Sequence, residues 1–334
     1  MARLRIGTYL LATTALVIAV ATADAATLSV HCGGSNGLTT IGAALRALRG
    51  ESAGGPNTIN VSGACLENVL IQNMDRLTIA GANRASITDA SRGAADVVDI
   101  RNSNVTITGM TIDGKAGVTF DAVDCEQGSR CTLIDNTIEG DADAVGVYVL
   151  SSALIIGGTL QNTTSSGIWA GGGDVVAVGV LISGAPLGIG VVNGSRLATG
   201  IADPAVHPVA RITPTTVVNS GGAGVWVTQG AQFRCGGCVI RNNSGDGIDA
   251  DVSAAITVQP GYLLNGTSIL PSISNNTGVG VMLGDLTSGS FHGPASAVTV
   301  TGNAQPDIVC NSALAVSRRA LVAAGGPGHT NCSN

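Results

Sequence analysis

The sequence is poor in aromatic and charged residues, and these deficits exclude several classes of protein. Only 2% of its 334 residues are aromatic and 11% are charged, whereas about 25% of the residues in an ordinary globular protein are charged. The only lysine is Lys115 and the formal net charge is −6, which argues against nucleic acid or an anionic membrane as a partner. After residue 25 no apolar stretch is long enough to span a bilayer, so we expect no membrane span in the mature chain.

The N-terminus has the pattern of a secretory signal peptide. Arg3 and Arg5 precede an apolar run, and the small residues Ala23 and Ala25 supply a cleavage site before Ala26. We therefore expect residues 1–25 to be removed and the mature protein to be secreted, either into a periplasm or outside the cell.

Glycine is abundant, and a repeat of short β-branched runs organises the chain. Gly146-Val147-Tyr148, Gly167-Ile168-Trp169 and Gly188-Ile189-Gly190 recur every 21 residues, and most other steps between similar quartets measure 21 to 25 residues. The two long steps contain insertions, at 199–214 and 260–271. A repeat of three short strands, without a helical pattern between them, predicts a solenoid of about nine or ten coils stacked into parallel sheets.

One segment alone has helical periodicity, the stretch from Thr39 to Gly50. It places four apolar residues on one face: Ile41, Ala44, Leu45 and Leu48. Because the end of a solenoid is a row of open edges, we interpret this helix as a cap. The expected order is an N-terminal cap at 26–57, coils at 58–309 and a C-terminal cap without rungs at 310–334.

The eight cysteines indicate disulfides, because they are even in number and follow a signal peptide. Proximity along the coils favours four pairs: Cys32–Cys65, Cys125–Cys131, Cys235–Cys238 and Cys310–Cys332. Sequence alone allows 105 connectivities. For Cys235 and Cys238 a redox pair or half of a metal site is the alternative, although no second motif of this kind and no histidine lies nearby.

Cap and coils together resemble the secreted proteins of the pectin-lyase-like superfamily. The resemblance lies in the cap, in GPNTINVSGACLENVLIQNMDRLTIAG and in coils such as VVDIRNSNVTITGMTIDG and CTLIDNTIEG, and it covers nearly all of residues 27–334. It implies an all-β fold, the right-handed parallel β-helix. It leaves the activity open, because that superfamily includes lyases, polygalacturonases, epimerases, phage tailspikes and non-enzymatic adhesins. In its enzymes the active face is the outside of the first parallel sheet.

Alternation along the strands predicts which residues occupy that face. The inward residues are taken to be Val98, Ile100, Val147, Val149, Val225 and Val227. One outward column is then Asp99, Asp124, Tyr148, Trp169, Gly190, Trp226, Asp249 and Met282; the other is Arg101, Glu126, Leu150, Gly171, Val192, Thr228, Asp251 and Gly284. Both tryptophans share a column with one of the three tyrosines, which predicts a strip for stacking sugar rings. The alternative is a structural role for these aromatics.

Acidic residues flank the predicted strip at both ends. Asp99, Asp124 and Glu126 lie with Arg101 at one end, and Asp249 and Asp251 at the other.

Two chemical roles are open for the acids. A pair of carboxyl groups serves glycoside hydrolysis. Alternatively, Asp99, Asp124 and Glu126 hold Ca2+ and Arg101 abstracts a proton in an elimination. The sequence lacks the NTD, GHG and RIK motifs of polygalacturonases and the paired motifs of pectate lyases, so solvated rung faces are the third interpretation.

These features predict a secreted β-helix protein that binds a polysaccharide or cell-surface glycan along the outer face of its first sheet. If it is also an enzyme, we expect a polysaccharide lyase or a glycoside hydrolase, with Ca2+ as the one candidate cofactor. The rival hypothesis is a non-enzymatic, adhesin-like rod in which the aromatics are incidental.

Overall fold

The computed structural model describes a limited set of residues: 25–49, 55–115, 117, 119–293, 297–311, 315–317, 321–323 and 332. Residues 1–24 of the predicted signal peptide lie outside this set. The described chain is the predicted parallel β-helix, in which ten strands form one sheet and 22 strands form a larger one. Each coil therefore adds one strand to the ten-stranded sheet, which we call the first sheet, and two to the larger sheet.

The first sheet consists of strands whose register follows the sequence repeat. Its members are Val69–Gln72, Val98–Arg101, Val123–Glu126, Asp143–Tyr148, Ser166–Gly171, Leu187–Val192, Val225–Val227, Ile248–Ala250, Val279–Leu283 and Ala304–Cys310. Every neighbouring pair is parallel.

The larger sheet begins with three strands, Thr27–His31, Asn57–Leu66 and Leu77–Thr88. Two series then follow from the long third strand. The first series is Asn104–Thr108, Arg130–Ile134, Ser152–Ile156, Asp174–Val178, Arg196–Ala202, Gln232–Gly236, Ala255–Gln259, Ser288–Phe291 and Ala315–Ser317. The second is Thr111–Asp113, Thr137–Glu139, Thr159–Gln161, Leu181–Ser183, Thr216–Val218, Val239–Arg241, Ser272–Ser274, Val298–Thr301 and Leu321–Ala323.

The interior is filled by the inward side chains of these strands, as alternation requires. Val98, Ile100, Val225 and Val227 are completely buried, as predicted. Asparagine occupies many corners in the left-handed conformation, for example Asn102, with φ of 43°. This backbone is less costly for asparagine than for β-branched residues, so the Asn-rich spacers bend the chain between strands.

The prediction for Val149 was wrong, and the error changes the register of one rung. Val149 is 62% exposed and Leu150 lies in a turn with a positive φ, so the inward residues of this strand are Val145 and Val147. Val149 is β-branched and continues the alternating pattern of the strand, which is why the sequence analysis placed it in the core. Tyr148 accordingly pairs with Gly171, and it is Gly146 that pairs with Trp169.

The one helix among the described residues, Ile41–Leu48, lies where the sequence predicted it. Thr40 is the N-cap, its hydroxyl accepting from the Ala43 N–H at 3.1 Å, and the Glu67 carboxylate accepts two more helical N–H groups. The four predicted apolar residues are buried and pack against the first strands of the solenoid. No described helix combines the length and the apolar character that crossing a membrane requires.

All four predicted disulfides are present: Cys32–Cys65, Cys125–Cys131, Cys235–Cys238 and Cys310–Cys332. The pairs either join positions brought together by stacking or close short turns, which is why the coil model selected them. The pairing of Cys235 with Cys238 accounts for that motif without a metal.

The stack continues beyond residue 309, where the sequence predicted a cap without rungs. Ala315–Ser317 pairs with Ser288–Phe291, and Leu321–Ala323 pairs with Val298–Thr301, both in parallel. The alternating run in this segment thus forms short strands that add to the larger sheet.

The two insertions contact each other on one side of the solenoid. One continues from the strand Arg196–Ala202, which pairs antiparallel with Thr213–Pro214, and the other forms the hairpin of Gly261–Tyr262 and Ser268–Ile269. The Leu264 N–H donates to the Asp203 carboxylate at 2.9 Å and joins them.

A ladder of asparagine side chains runs through the later coils. The Asn243 amide donates to Asn276 Oδ1 at 2.8 Å, the Asn276 amide to Asn303 Oδ1 at 2.8 Å, and the Asn303 amide to Asp307 Oδ1 at 3.0 Å. All four side chains are buried. Because each amide both donates and accepts, the ladder satisfies these polar groups from coil to coil.

Candidate functional site

Both tryptophans lie on the outer face of the first sheet, as predicted. Trp169 and Trp226 are half-buried and belong to one outward column, two rungs apart, with Gly190 between them. Their ring centroids are 6.2 Å apart and their planes are inclined by 39°. A Cβ atom at Gly190 would overlap Cε3 of Trp169, so the ring of Trp169 lies across the intervening rung toward Trp226.

Tyr148 joins this pair in spite of its corrected register. A Cβ atom built on Gly171 would lie 3.0 Å from Trp169 Nε1 and 3.2 Å from Tyr148 Cδ1, so the two rings flank the same glycine. We call Tyr148, Trp169 and Trp226 the aromatic strip. Glycine at positions 171 and 190 gives these rings room to lie along the sheet.

An acidic cleft of about 270 Å3 adjoins the tyrosine end of the strip. We define the acidic cleft by its polar lining: Asp96, Arg101, Asp121, Asp124, Glu126 and Tyr148. Thr119 and Phe120, which precede the strand Val123–Glu126, complete its wall. The Tyr148 hydroxyl donates to Asp121 Oδ2 at 2.9 Å and thereby connects the strip to the cleft.

Arg101 neutralises two of the predicted acids. Its Nη2 lies 2.7 Å from Asp99 Oδ2, and its Nε lies 2.8 Å from Glu126 Oε1. The hydrogen bond with Asp99 raises the pKa of Arg101 above its ordinary value. The structure therefore brings the predicted set of Asp99, Asp124, Glu126 and Arg101 together, but it holds the arginine in its charged form, in which it is a poor base.

Of the remaining acids of the cleft, Asp121 and Asp124 are buried and Asp96 is half-buried, and none of the three forms a salt bridge within the described part of the chain. Burial raises the pKa of Asp124 to about 8, with Asp96 and Glu126 adding repulsion. Burial, reinforced by Asp143, raises the pKa of Asp121 to about 9. Asp124 is 8% exposed, and its Oδ1 has no hydrogen-bond partner among the described residues. An orphaned buried oxygen of this kind carries a desolvation cost that a bound cation or donor would remove.

Two overlapping sets of three carboxyl groups surround Asp124. Oxygens of Asp99, Asp124 and Glu126, the predicted calcium ligands, lie within 4.8 Å of one another, and so do oxygens of Asp96, Asp121 and Asp124. In the first set, Asp99 and Glu126 form salt bridges with Arg101. The second set forms no salt bridge among the described residues, and it includes Asp96 and Asp121, which the sequence analysis did not name.

Asp96 and Asp121 were missed by the sequence analysis, which considered only the quartets. A signal was present: an acid stands two residues before the first buried β-branched residue of several strands. It is seen at Asp96 before Val98, at Asp121 before Val123, and again at Asp143 and Asp246. The acids sit at the entrance to the strand, where the chain turns onto the face.

The predicted acids at the other end of the strip form no comparable cluster. Asp249 stands next to Trp226 in the adjacent rung, and burial raises its pKa. Asp251 accepts from the Val252 N–H at 2.7 Å and Asp246 from the Val279 N–H at 2.8 Å. Within the described ranges, no group of three metal-ligating side chains occurs here.

Comparisons with known proteins give one distant structural likeness to report and no family. No protein-family model and no curated protein matches the chain. Among solved structures, the A-module of a mannuronan C-5 epimerase from Azotobacter vinelandii is similar, with 12% sequence identity and a TM-score of 0.49 over 88% of this chain and 95% of that one. This distant likeness concerns the fold and says nothing of what the present chain binds.

Proposed function

We propose that this chain binds an extended polysaccharide along the outer face of its first sheet. The observation that carries the proposal is the aromatic strip: Trp169 and Trp226 share one outward column, and the ring of Tyr148 lies beside that of Trp169 at Gly171. All three residues are half-buried, in a chain of which 2% of residues are aromatic. Aromatic faces offer large, rigid apolar contact area at little entropic cost, and the apolar faces of sugar rings stack on them. Secretion, which the N-terminal pattern predicts, would place the protein where such polymers occur.

Glycoside hydrolysis is the second candidate, favoured by the protonation of the acidic cleft. Asp124, with a pKa of about 8, retains its proton at neutral pH and can donate it to a glycosidic oxygen. Asp99 and Glu126 form salt bridges with Arg101. Oxygens of these acids and Asp124 lie within 4.8 Å, nearer the separation of about 5–5.5 Å in retaining enzymes than the larger one in inverting enzymes. Elimination with Arg101 as base has no such support.

Calcium remains an alternative occupant of the cleft. The orphaned Asp124 Oδ1 suits a cation, but Ca2+ takes about six to eight oxygen ligands, and Arg101 already occupies Asp99 and Glu126. A calcium titration monitored by fluorescence belongs in the first experiment for this reason.

The binding proposal is tested by fluorescence, because both tryptophans of the chain lie in the strip. The mature protein is titrated with a panel of neutral, acidic and basic polysaccharides, with and without Ca2+. We expect a saturable change with one of them. A flat response across the panel would contradict glycan binding and support the rod.

A variant measures how much the strip contributes. Replacing Trp169 and Trp226 together by alanine should weaken calorimetric binding at least about a hundredfold, which corresponds to about 3 kcal/mol. The melting temperature of the variant serves as the control for folding. Unchanged affinity in a folded variant would show that the glycan binds elsewhere.

The hydrolysis candidate is tested on the polysaccharide that binds. We expect new reducing ends with the native chain and, with both proteins saturated by the polysaccharide, a loss of about a hundredfold or more in rate for Asp124→Asn. Asp174→Asn, an exposed acid on the larger sheet, is the matched control. Binding without any product would leave the protein a lectin-like binder and contradict hydrolysis.

A further inference from the structure

The acidic cleft concentrates carboxyl oxygens, and one of them has no hydrogen-bond partner among the described residues. Asp96, Asp121 and Asp124 converge, with one oxygen of each within 4.8 Å of the others. Asp96 Oδ1 accepts a hydrogen bond from the Asp121 N–H, and Asp121 Oδ2 accepts one from the Tyr148 hydroxyl. The Asp124 side chain is more than nine-tenths buried, and its Oδ1 accepts no hydrogen bond from any described residue.

The surrounding charges strengthen the demand for a positive group. Asp99, Glu126 and Asp143 all lie close enough to raise the pKa of a carboxyl group in the cleft. Arg101 lines the cleft as a cation, and it already forms salt bridges with Asp99 and Glu126. A carboxylate-bearing sugar would therefore meet repulsion and find no arginine to bind it.

The number of acceptors matches one class of positive group. An ammonium group has three N–H donors and no acceptor. The three converging carboxyl groups supply three acceptors when the positive charge of that group displaces, into solvent, the protons that burial keeps on Asp121 and Asp124 at neutral pH. Hydrogen bonds of about 2.8 Å around a tetrahedral nitrogen place the acceptor oxygens about 4.5 Å apart, a spacing that is open to three oxygens lying within 4.8 Å of one another. A calcium ion would need about twice as many oxygens.

The position of the cluster links it to a stacked sugar. Tyr148 contributes its ring to the aromatic strip beside Trp169, at Gly171, and its hydroxyl to Asp121 in the cleft. A sugar stacked at this end of the strip carries its substituents over the cleft, because the ring and the cluster share one side chain.

We propose that the acidic cleft binds the ammonium group of an amino sugar, so that the polysaccharide is a cationic one built from 2-amino-2-deoxy sugars. This inference rests on the proposed function, since the strip must hold the sugar ring. It names the substrate class, which the strip alone leaves open.

The test compares three hexasaccharides of equal length on the native chain by tryptophan fluorescence. The probes are a fully deacetylated glucosamine hexamer, its N-acetylated counterpart and a hexagalacturonate, each with CaCl2 and with EDTA. We expect the glucosamine hexamer to bind at least about tenfold more tightly than the other two at neutral pH, in EDTA as in calcium. Calcium should not rescue hexagalacturonate.

A pair of variants separates the cleft from general attraction to an acidic protein. Asp124→Asn should weaken binding of the glucosamine hexamer at least about tenfold and leave the N-acetylated hexamer unchanged. Asp174→Asn makes the same substitution at an exposed position on the other sheet and should change neither affinity. The comparison of hexamers on the native chain stands even if Asp124→Asn does not fold.

Three results would overturn the inference while leaving the proposed function intact. They are equal affinity for the two glucosamine-based hexamers, a preference for hexagalacturonate, and hexagalacturonate binding that appears only with calcium, which would assign the cluster to a divalent cation. If no hexamer and no polysaccharide binds, it is the proposed function that fails.

Discussion

The two acidic ends of the aromatic strip look alike in sequence and differ in structure. At one end, Asp121 and Asp124 are buried against Phe120 in a cleft. At the other, Asp249 and Asp251 are half-buried and belong to no three-acid group within the described chain. The difference lies in the segment 119–122, which precedes its strand, adds Asp121 and walls the cleft. The carboxyl groups of an acidic quartet acquire strongly raised pKa values when a neighbouring segment removes them from water.

A further buried acid at the cleft end of the strip affects the stability of the fold. Asp141 is fully buried, its carboxyl group lies against Gly114 and Gly117, and neither oxygen has a hydrogen-bond partner among the described residues. Burial, aided by repulsion from Asp89 and Asp96, raises its pKa to about 7.

The largest expected effect is on the pH dependence of folding. Between about pH 4 and pH 7 folded Asp141 keeps a proton that the unfolded chain releases, so this contribution to stability is complete below pH 4 and lost as the pH rises through 7. Asp141→Asn should therefore raise the free energy of unfolding, relative to the native chain, by up to about 4 kcal/mol more at pH 8.5 than at pH 4.

Urea denaturation at the two pH values measures this difference, with Asp251→Asn, at the other end of the strip, as control. A gain from Asp141→Asn that is the same at both pH values would show that relief of ionisation is not its cause.

The next effect concerns the glycan. Asp121→Asn should weaken binding about tenfold, or about 1.4 kcal/mol, because it alters the acceptor that fixes the Tyr148 hydroxyl. Asp249→Asn, beside Trp226, should change affinity less than about twofold, since no acidic cleft surrounds it. Calorimetry with the best glycan from the panel measures both. Equal losses would remove the distinction between the two ends.

The smallest effect tests the strip between those ends. Gly190→Ala should displace the ring of Trp169, with which the new methyl group would overlap, shifting the emission maximum and weakening glycan binding a few-fold. Gly200→Ala meets nothing closer than 3.7 Å and is the matched control. An unchanged spectrum for Gly190→Ala would mean that Trp169 does not lie across that rung.

The fold could be predicted well from the sequence because every coil repeats the same pattern. Period, turn residues, cap and cysteine pairs all indicate one solenoid, and a single misread strand does not disturb the others. Residues 143–150 show the limit: Val145, Val147 and Val149 alternate perfectly, and only the backbone reveals that the strand ends at Tyr148. Alternation identifies faces, whereas the end of a strand depends on how the next coil stacks.

The candidate site was predicted only in part, for a related reason. Trp169 and Trp226 were placed correctly because both lie mid-strand, where the alternation holds. Asp96 and Asp121 lie before their strands, so their direction depends on turns that the periodicity does not describe. The pairing of Arg101 with two acids is likewise a property of neighbouring rungs, and residue type alone does not show which acid is left without a partner.

The asparagine ladder has a direction, and this bears on how such a chain can lengthen. Each amide donates toward the C-terminal end, from Asn243 to Asn276, from Asn276 to Asn303 and from Asn303 to Asp307. A coil duplicated between Asn243 and Asn276 would join the series, because its asparagine would accept from Asn243 and donate to Asn276. The ladder therefore favours growth of the stack by duplication of an internal coil.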